Sequence, residues 1–253
     1  MPAEPHPAAT IILLRDGRPA PEVLLLKRTA TTRFGPGAYV FPGGAVDAQD
    51  AGDGQAPCAL GDTVASNELG VRSGGLAYRQ AAIRECFEEA GVLLACSRHG
   101  VPLDMREPDL ARRFADHRYA LRRQQLTFAA LCHREDLRLY GPSLHYVSHW
   151  ITPPHSPRRF DTRFFLAVAP PGQDATCCGE ETVAHAWLTP TAALAAQRAG
   201  DMELMTPTRH TLERLRHYGS VPALLEAIAG AGGPSGEQLP GHGLVEQRIP
   251  APA

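Results

Sequence analysis

No stretch of this 253-residue chain is apolar for long enough to span a bilayer. Its opening, MPAEPHPAAT, lacks the basic and apolar regions of a secretory leader, so a cytoplasmic protein is expected. Net charge is only −2, which leaves no whole-chain case for binding nucleic acid or an anionic membrane. None of the six cysteines forms a C-x-x-C pair, and adjacent Cys177-Cys178 is poor geometry for zinc or an ordinary disulfide. Reduced, mostly buried thiols are expected. His145, His149 and His155 lack a tight ligand spacing, so zinc is not expected there either. There is no internal repeat. What remains is a chain of ordinary apolar content, 43%, long enough for one large domain with additions.

The apolar runs 10–17 and 22–28, separated by a turn, predict a hairpin. Residues 51–75 are rich in Gly and Asp and read as a loop. Residues 76–91 predict a helix with an apolar stripe of Ala82, Cys86 and Ala90 beside Ile83 and Phe87, stopped by Gly91. A short strand is expected at 92–96 and a helix at 107–126. Strands are expected at 126–132, 145–152, 162–169 and 181–188. Helices at 189–200 and 206–219 each begin with a Thr-Pro start, and a third covers 220–230. Residues 1–9 are expected to be flexible and 231–253 to form a loosely attached Gly/Pro-rich tail. Strands and helices mix without regular alternation, which predicts an α+β fold with a mixed sheet flanked by helices.

Glu85, Glu88 and Glu89 carry the chemistry. On a helix they span an arc of about 100°, so three carboxylates share one face. Their mutual repulsion disfavours the helix, and they sit near its C-terminal end, where the macrodipole favours cations. Such an arrangement calls for counter-charge. Arg84 supplies part, one turn from Glu88, and hard oxygen donors at this density suit Mg²⁺ or Mn²⁺ for the rest.

The run Arg84-Glu85-Cys86-Phe87-Glu88-Glu89-Ala90-Gly91-Val92 resembles the second half of the Nudix box, G-x5-E-x7-R-E-U-x-E-E-x-G-U. Phe41-Pro42-Gly43-Gly44 resembles its start. Five residues after Gly44 comes Asp50, where the family has Glu. The seven-residue gap before the Arg becomes 33 residues, 51–83, so the motif is intact with an insertion of about 26. Extra length in a loop costs little closure entropy. The resemblance implies an α/β/α sandwich over residues 10–230, with 206–230 as a C-terminal helical extension. It implies metal ligation by Glu85, Glu88 and Glu89, with Arg84 paired to the first acidic residue of the box. Asp50 and Glu68 both remain open for that acidic place.

Upstream, Leu24-Leu25, Arg28, Arg33, Gly37 and Phe41-Pro42-Gly43-Gly44 resemble the signature of Nudix hydrolases that cleave coenzyme A. Arg suits phosphate oxygens, and glycines let backbone N–H groups approach them. Further stretches at 149–167, 186–190 and 206–215 resemble the acyl-CoA diphosphatase branch of animals. The implied reaction is hydrolysis of CoA or acyl-CoA to 3′,5′-ADP and (acyl-)phosphopantetheine. ADP-ribose, NADH or a dinucleoside polyphosphate is the alternative substrate, and a catalytically inactive binding module the alternative function. Substrate contacts are expected from Arg28, Arg33, Gly37, Gly43, Gly44 and Arg159, with Arg158 beside it. Glu89 and Glu180 or Glu181 are candidate general bases. The basic stretch 112–123 reads either as a solvated helix face or as a site for the 3′-phosphate. A small-molecule partner is expected, with a homodimer among the admissible assemblies.

Overall fold

Residues 6–15 carry two apolar stripes at once. In β1 (His6–Arg15), Ile11 and Leu13 enter one core with Leu24 and Leu26 of β2 (Glu22–Arg28). Ile12 and Leu14 enter a second core with Val23 and Leu25. A strand buried on both faces reads as a continuous apolar run, and it requires a layer on each side. The computed structural model describes residues 3–32, 35–52, 55–230, 235–238 and 244–250.

Both layers are helical. The first core is covered by α1 (Asp62–Leu69), α2 (Gly75–Ala90), α3 (Pro108–Arg122) and α4 (Phe128–Arg134) through Leu69, Ile83, Phe87, Phe114, Phe128 and Leu131. The second is covered by α5 (Pro190–Ala199), α6 (Thr206–Leu215) and α7 (Val221–Gly230) through Leu194, Leu212 and Leu224. The architecture is an α/β/α sandwich.

The remaining strands are β3 (Tyr39–Val40), β4 (Gly43–Ala45), β5 (Ala95–Ser97), β6 (Leu137–Leu139), β7 (His145–Ile151), β8 (Phe160–Val168), β9 (Thr182–Leu188), β10 (Ser235–Gln238) and β11 (Leu244–Gln247). The main sheet runs β10-β11-β7-β8-β1-β2-β3, with β4 on β1 and β9 on β2. It is mixed: β1 pairs parallel with β8, His6 opposite Phe160 through Leu14 opposite Val168. It pairs antiparallel with β2 and β4. β5 and β6 form a separate ribbon.

Several sequence expectations are corrected. Residues 6–9 are strand, not flexible terminus. Residues 126–132 are not a strand. Thr127 caps α4 instead, its Oγ1 accepting from Ala130 N at 3.2 Å. The short strand placed at 92–96 begins only at Ala95. The tail is not loose throughout: β11 pairs with β7 and Ile249 is buried in the second core.

The segment 51–75 is not a plain loop either. It folds α1 onto α2, with Ala65 and Leu69 buried. Gly75 lies so close to α1 that a Cβ there would sit 2.5 Å from Ser66 Cα. Glu68 pairs with the buried Arg79, and its carbonyl accepts from Arg248 Nη2 at 2.9 Å. Replacing residues 57–73 with a short Gly/Ser linker is therefore expected to lower unfolding free energy by at least about 3 kcal/mol, the order of one buried Leu lost plus one charge-assisted bond to Arg79. A urea midpoint equal to wild type would show that α1 contributes no packing.

Candidate active site

The site begins where β4 lies against β1, Thr10 opposite Gly43 and Ala9 opposite Gly44. This register presses the Gly-Gly turn onto α2. A Cβ at Gly44 would fall 2.5 Å from Glu85 Cδ, and one at Gly43 would fall 2.5 Å from Ala9 O. Gly43 N–H is not free for a phosphate, as the sequence suggested. It donates to Glu89 Oε2 at 3.0 Å. Here the glycines bring backbone close to carboxylates.

Asp50, fully buried in a 3₁₀ turn after β4, faces Arg84 of α2. Arg84 Nε donates to Asp50 Oδ1 at 3.0 Å and Nη2 to Oδ2 at 2.9 Å. Nη2 also reaches Ala45 O at 2.9 Å, and Nη1 reaches Glu85 at 2.8 Å and Glu88 at 3.5 Å. All five guanidinium donors are engaged. Burial works against this charge, but Asp50, then Glu85 and Glu88, outweigh it and hold Arg84 above its ordinary pKa. Glu68 occupies a different place, on Arg79.

The three glutamates line one cleft of about 820 Å³ with Arg84, Arg28 and both glycines. Burial pushes Glu85 up to about 7, against Arg84 and with repulsion from Glu88. Burial also raises Glu88 despite Arg84. Glu89 is raised well above its ordinary value, by burial and then by Glu85. Such shifts mark a crowded anionic wall short of positive charge. The carboxylates do not converge in this conformation, since Glu85 and Glu88 lean on Arg84 and Glu89 leans on Gly43. Among the described residues no group of three His, Cys, Asp or Glu side chains is arranged to hold a metal ion. The chemistry of the donor set nevertheless fits a divalent cation: three hard oxygen donors on one wall, under-compensated, with Asp50 able to retain Arg84 if the glutamates turn away.

Arg28 ends β2 at this wall, and its buried Nε has no hydrogen-bond partner. Arg159 is not at the cleft. Its Nε and Nη1 are spent on the carbonyls of Thr152 and Ala3, at 3.0 and 2.6 Å. Its neighbour Arg158 lines the cleft instead, over the Phe160 ring at 5.9 Å. A one-residue offset at a strand entrance exchanges which face a side chain takes. Gly37, at φ +73°, closes a turn by donating to Thr29 O at 3.2 Å and lies outside the cleft wall. Arg33 lies outside the described residues. Glu180 and Glu181 both line the cleft. His149 is held by Asp161 at 2.6 Å.

The basic stretch 112–123 divides. Arg112 pairs with Asp109 at the surface, and Arg113 with the largely buried Glu135. Arg122 lines the cleft and pairs with Glu180 at 2.6 Å. Arg118 reaches under α2, its Nε donating to Glu88 O at 3.0 Å and Nη2 to Glu89 O at 2.9 Å. Sequence reasoning offered 112–123 only as a stretch, without singling out Arg122 in the cleft or Arg118 behind it, and it missed Cys178 and Trp150, which also line the cleft. The i, i+4 spacing of Arg118 and Arg122 was the one available signal, since it puts both on one face of α3.

A sequence model of the NUDT19 Nudix domain matches residues 55–215. The chain belongs to the Nudix hydrolase family. It is 31% identical to the human acyl-coenzyme A diphosphatase NUDT19, over 82% of this chain and 64% of that protein. It is equally 31% identical to putative nudix hydrolase 7 of Caenorhabditis elegans, over 82% of this chain and 59% of that one. The chain thus spans about three-fifths of the length of these curated relatives. A crystal structure of a NUDIX hydrolase from Alicyclobacillus acidocaldarius shares the fold at TM-score 0.73 and 28% identity, covering 88% of this chain and 96% of that one. Nudix hydrolases generally use divalent metal ions. No helix among the described residues is long and apolar enough to cross a membrane.

Proposed function

We propose that this Nudix chain is a Mg²⁺- or Mn²⁺-dependent diphosphatase acting on CoA or acyl-CoA. The observation that carries it is one cleft in which Glu85, Glu88 and Glu89 face Arg28, a cation with a buried, unpartnered Nε. The name of the human relative supports the acyl-CoA class.

Glu85, Glu88 and Glu89 would hold the metal, which when bound neutralises the diphosphate and supplies an activated water. Asp50 keeps Arg84 in place, so Glu85 and Glu88 can turn to the cation without losing their base. Gly43 N–H fixes one Glu89 oxygen. Glu89 and Glu181, whose charges act on each other, are the groups placed to take the proton of the attacking water. Water adds to phosphorus, the bridging P–O bond breaks, and 3′,5′-ADP leaves with (acyl-)phosphopantetheine. Arg28 and Arg158 offer guanidinium groups to phosphate oxygens.

The test is a panel of CoA, acyl-CoA, dephospho-CoA, ADP-ribose and NADH with each metal, with products read by mass. CoA thioesters or CoA should be cleaved best. Dephospho-CoA should fall by roughly ten- to a hundredfold in kcat/KM, the weight of one charge-assisted contact to the 3′-phosphate. Best turnover of ADP-ribose or NADH, with CoA untouched, would refute the substrate class.

A further inference from the structure

The acidic helix ends where its charges are least welcome. Glu88 and Glu89 occupy the last turn of α2, at the negative end of the dipole, and a helix leaves its last four carbonyls without intrahelical partners. In this protein all four are taken. Phe87 O accepts from Gly91 N at 2.9 Å, and Ala90 O accepts from Thr176 N at 2.8 Å. The two between belong to Glu88 and Glu89 themselves, and both go to Arg118 of α3. The same guanidinium donates to Thr176 Oγ1 at 2.6 Å and to Thr176 O at 2.9 Å.

Gly91 makes room for this clamp. It sits at φ +73°, and a Cβ there would fall 2.6 Å from Thr176 Oγ1 and 2.9 Å from Arg118 Nη1. No ion pair neutralises Arg118 among the described residues, so its charge acts on the helix end. From Thr176 the chain runs on to Glu180 and Glu181 in the cleft wall, and Thr182 Oγ1 returns to Glu89 O at 3.5 Å. One turn further along α3, Arg122 holds Glu180.

From this geometry we infer that Arg118 is a positioning residue for the metal site: it fixes the backbone of Glu88 and Glu89 against the 176–182 segment so that both carboxylates meet one cation. The inference rests on the proposed metal-binding role of those glutamates. Arg118 touches neither metal nor substrate in this role. It sets the last helical turn, which would otherwise fray, and supports the ligands from behind.

The experiment is Mn²⁺ binding to the purified chain, by calorimetry or by the loss of free-ion paramagnetic resonance signal, without substrate. Arg118→Ala should weaken Mn²⁺ by ten- to a hundredfold, the usual effect of losing a residue that orients metal ligands. Arg118→Lys keeps the charge but cannot span both carbonyls, so it should fall between. Leu194→Ala, in the opposite core, serves as a destabilised control and should bind Mn²⁺ as wild type does. In turnover, kcat should fall with Arg118→Ala while substrate KM moves less than threefold. If Arg118→Ala does not fold, Arg118→Lys decides alone by the same titration. Wild-type Mn²⁺ affinity in the Arg118 variants would overturn the inference while leaving the metal site standing. Absence of Mn²⁺ binding by the wild type would overturn the metal site and the inference with it.

Discussion

Glu88→Gln is expected to lower kcat at least a hundredfold with the fold intact, the scale on which removal of one preorganised electrostatic group acts. The change preserves size and removes one charge. Glu88 is raised by burial despite Arg84, so the neutral amide relieves an existing strain in the apo protein. Its 3.5 Å contact with Arg84 is weak, and an amide oxygen can keep it. The melting temperature should therefore hold or rise while turnover with Mg²⁺ collapses. A folded Glu88→Gln protein with near-normal turnover would remove Glu88 from the metal set.

Asp50→Ala should act in the opposite way, on stability first. Asp50 is fully buried and accepts two bonds from Arg84 and one from Asp47 N at 2.8 Å. Removing it strands a buried guanidinium, a loss of about 3–5 kcal/mol. For a domain of this size that corresponds to a fall of roughly 6–20 °C in Tm. Glu68→Ala is the comparison. Arg79 would keep its bonds to Gly141 O and Leu144 O, at 2.7 and 2.6 Å, so the loss should be smaller. Chemical denaturation of both variants reads the difference. A larger loss from Glu68 would mean that Asp50 is not the principal acidic support of the box.

The pair Asp50–Arg84 shows where a sequence stops speaking. The residues are 34 positions apart, and the spacing of the motif admits Asp50 while an intervening Glu68 competes for the same place. Only the path of α1 separates them, by carrying Glu68 to Arg79. α1 itself was hard to read because its buried face is only Ala65, Ser66 and Leu69, while its one other sizeable apolar residue, Val64, is exposed, so no clear apolar stripe marks it. α4 misled in the other direction. Its apolar run suits a strand as well as a buried helix, and the deciding signal was the single cap Thr127. The glutamates were legible because helical phase alone puts them on one face. Arg118 was legible only as one cation of the basic stretch 112–123, since its spacing to Arg122 says that the two share a face but not that this face turns inward.

The parallel pairing of β1 with β8 sets an order on synthesis. β1 lies at the centre of the sheet, yet its neighbour begins at Phe160, opposite His6. At about 5–20 residues per second, roughly ten to thirty seconds separate the two on the ribosome. The whole acidic helix is made within that interval, while the strand it packs over still has one edge bare. β2 and β4 can close only the other edge early. Exposed strand edges recruit other chains. The nascent protein is thus most vulnerable to wrong association after its ligand-bearing helix exists and before its central ladder closes, a window whose length is set by the 69 residues between Ala90 and Phe160.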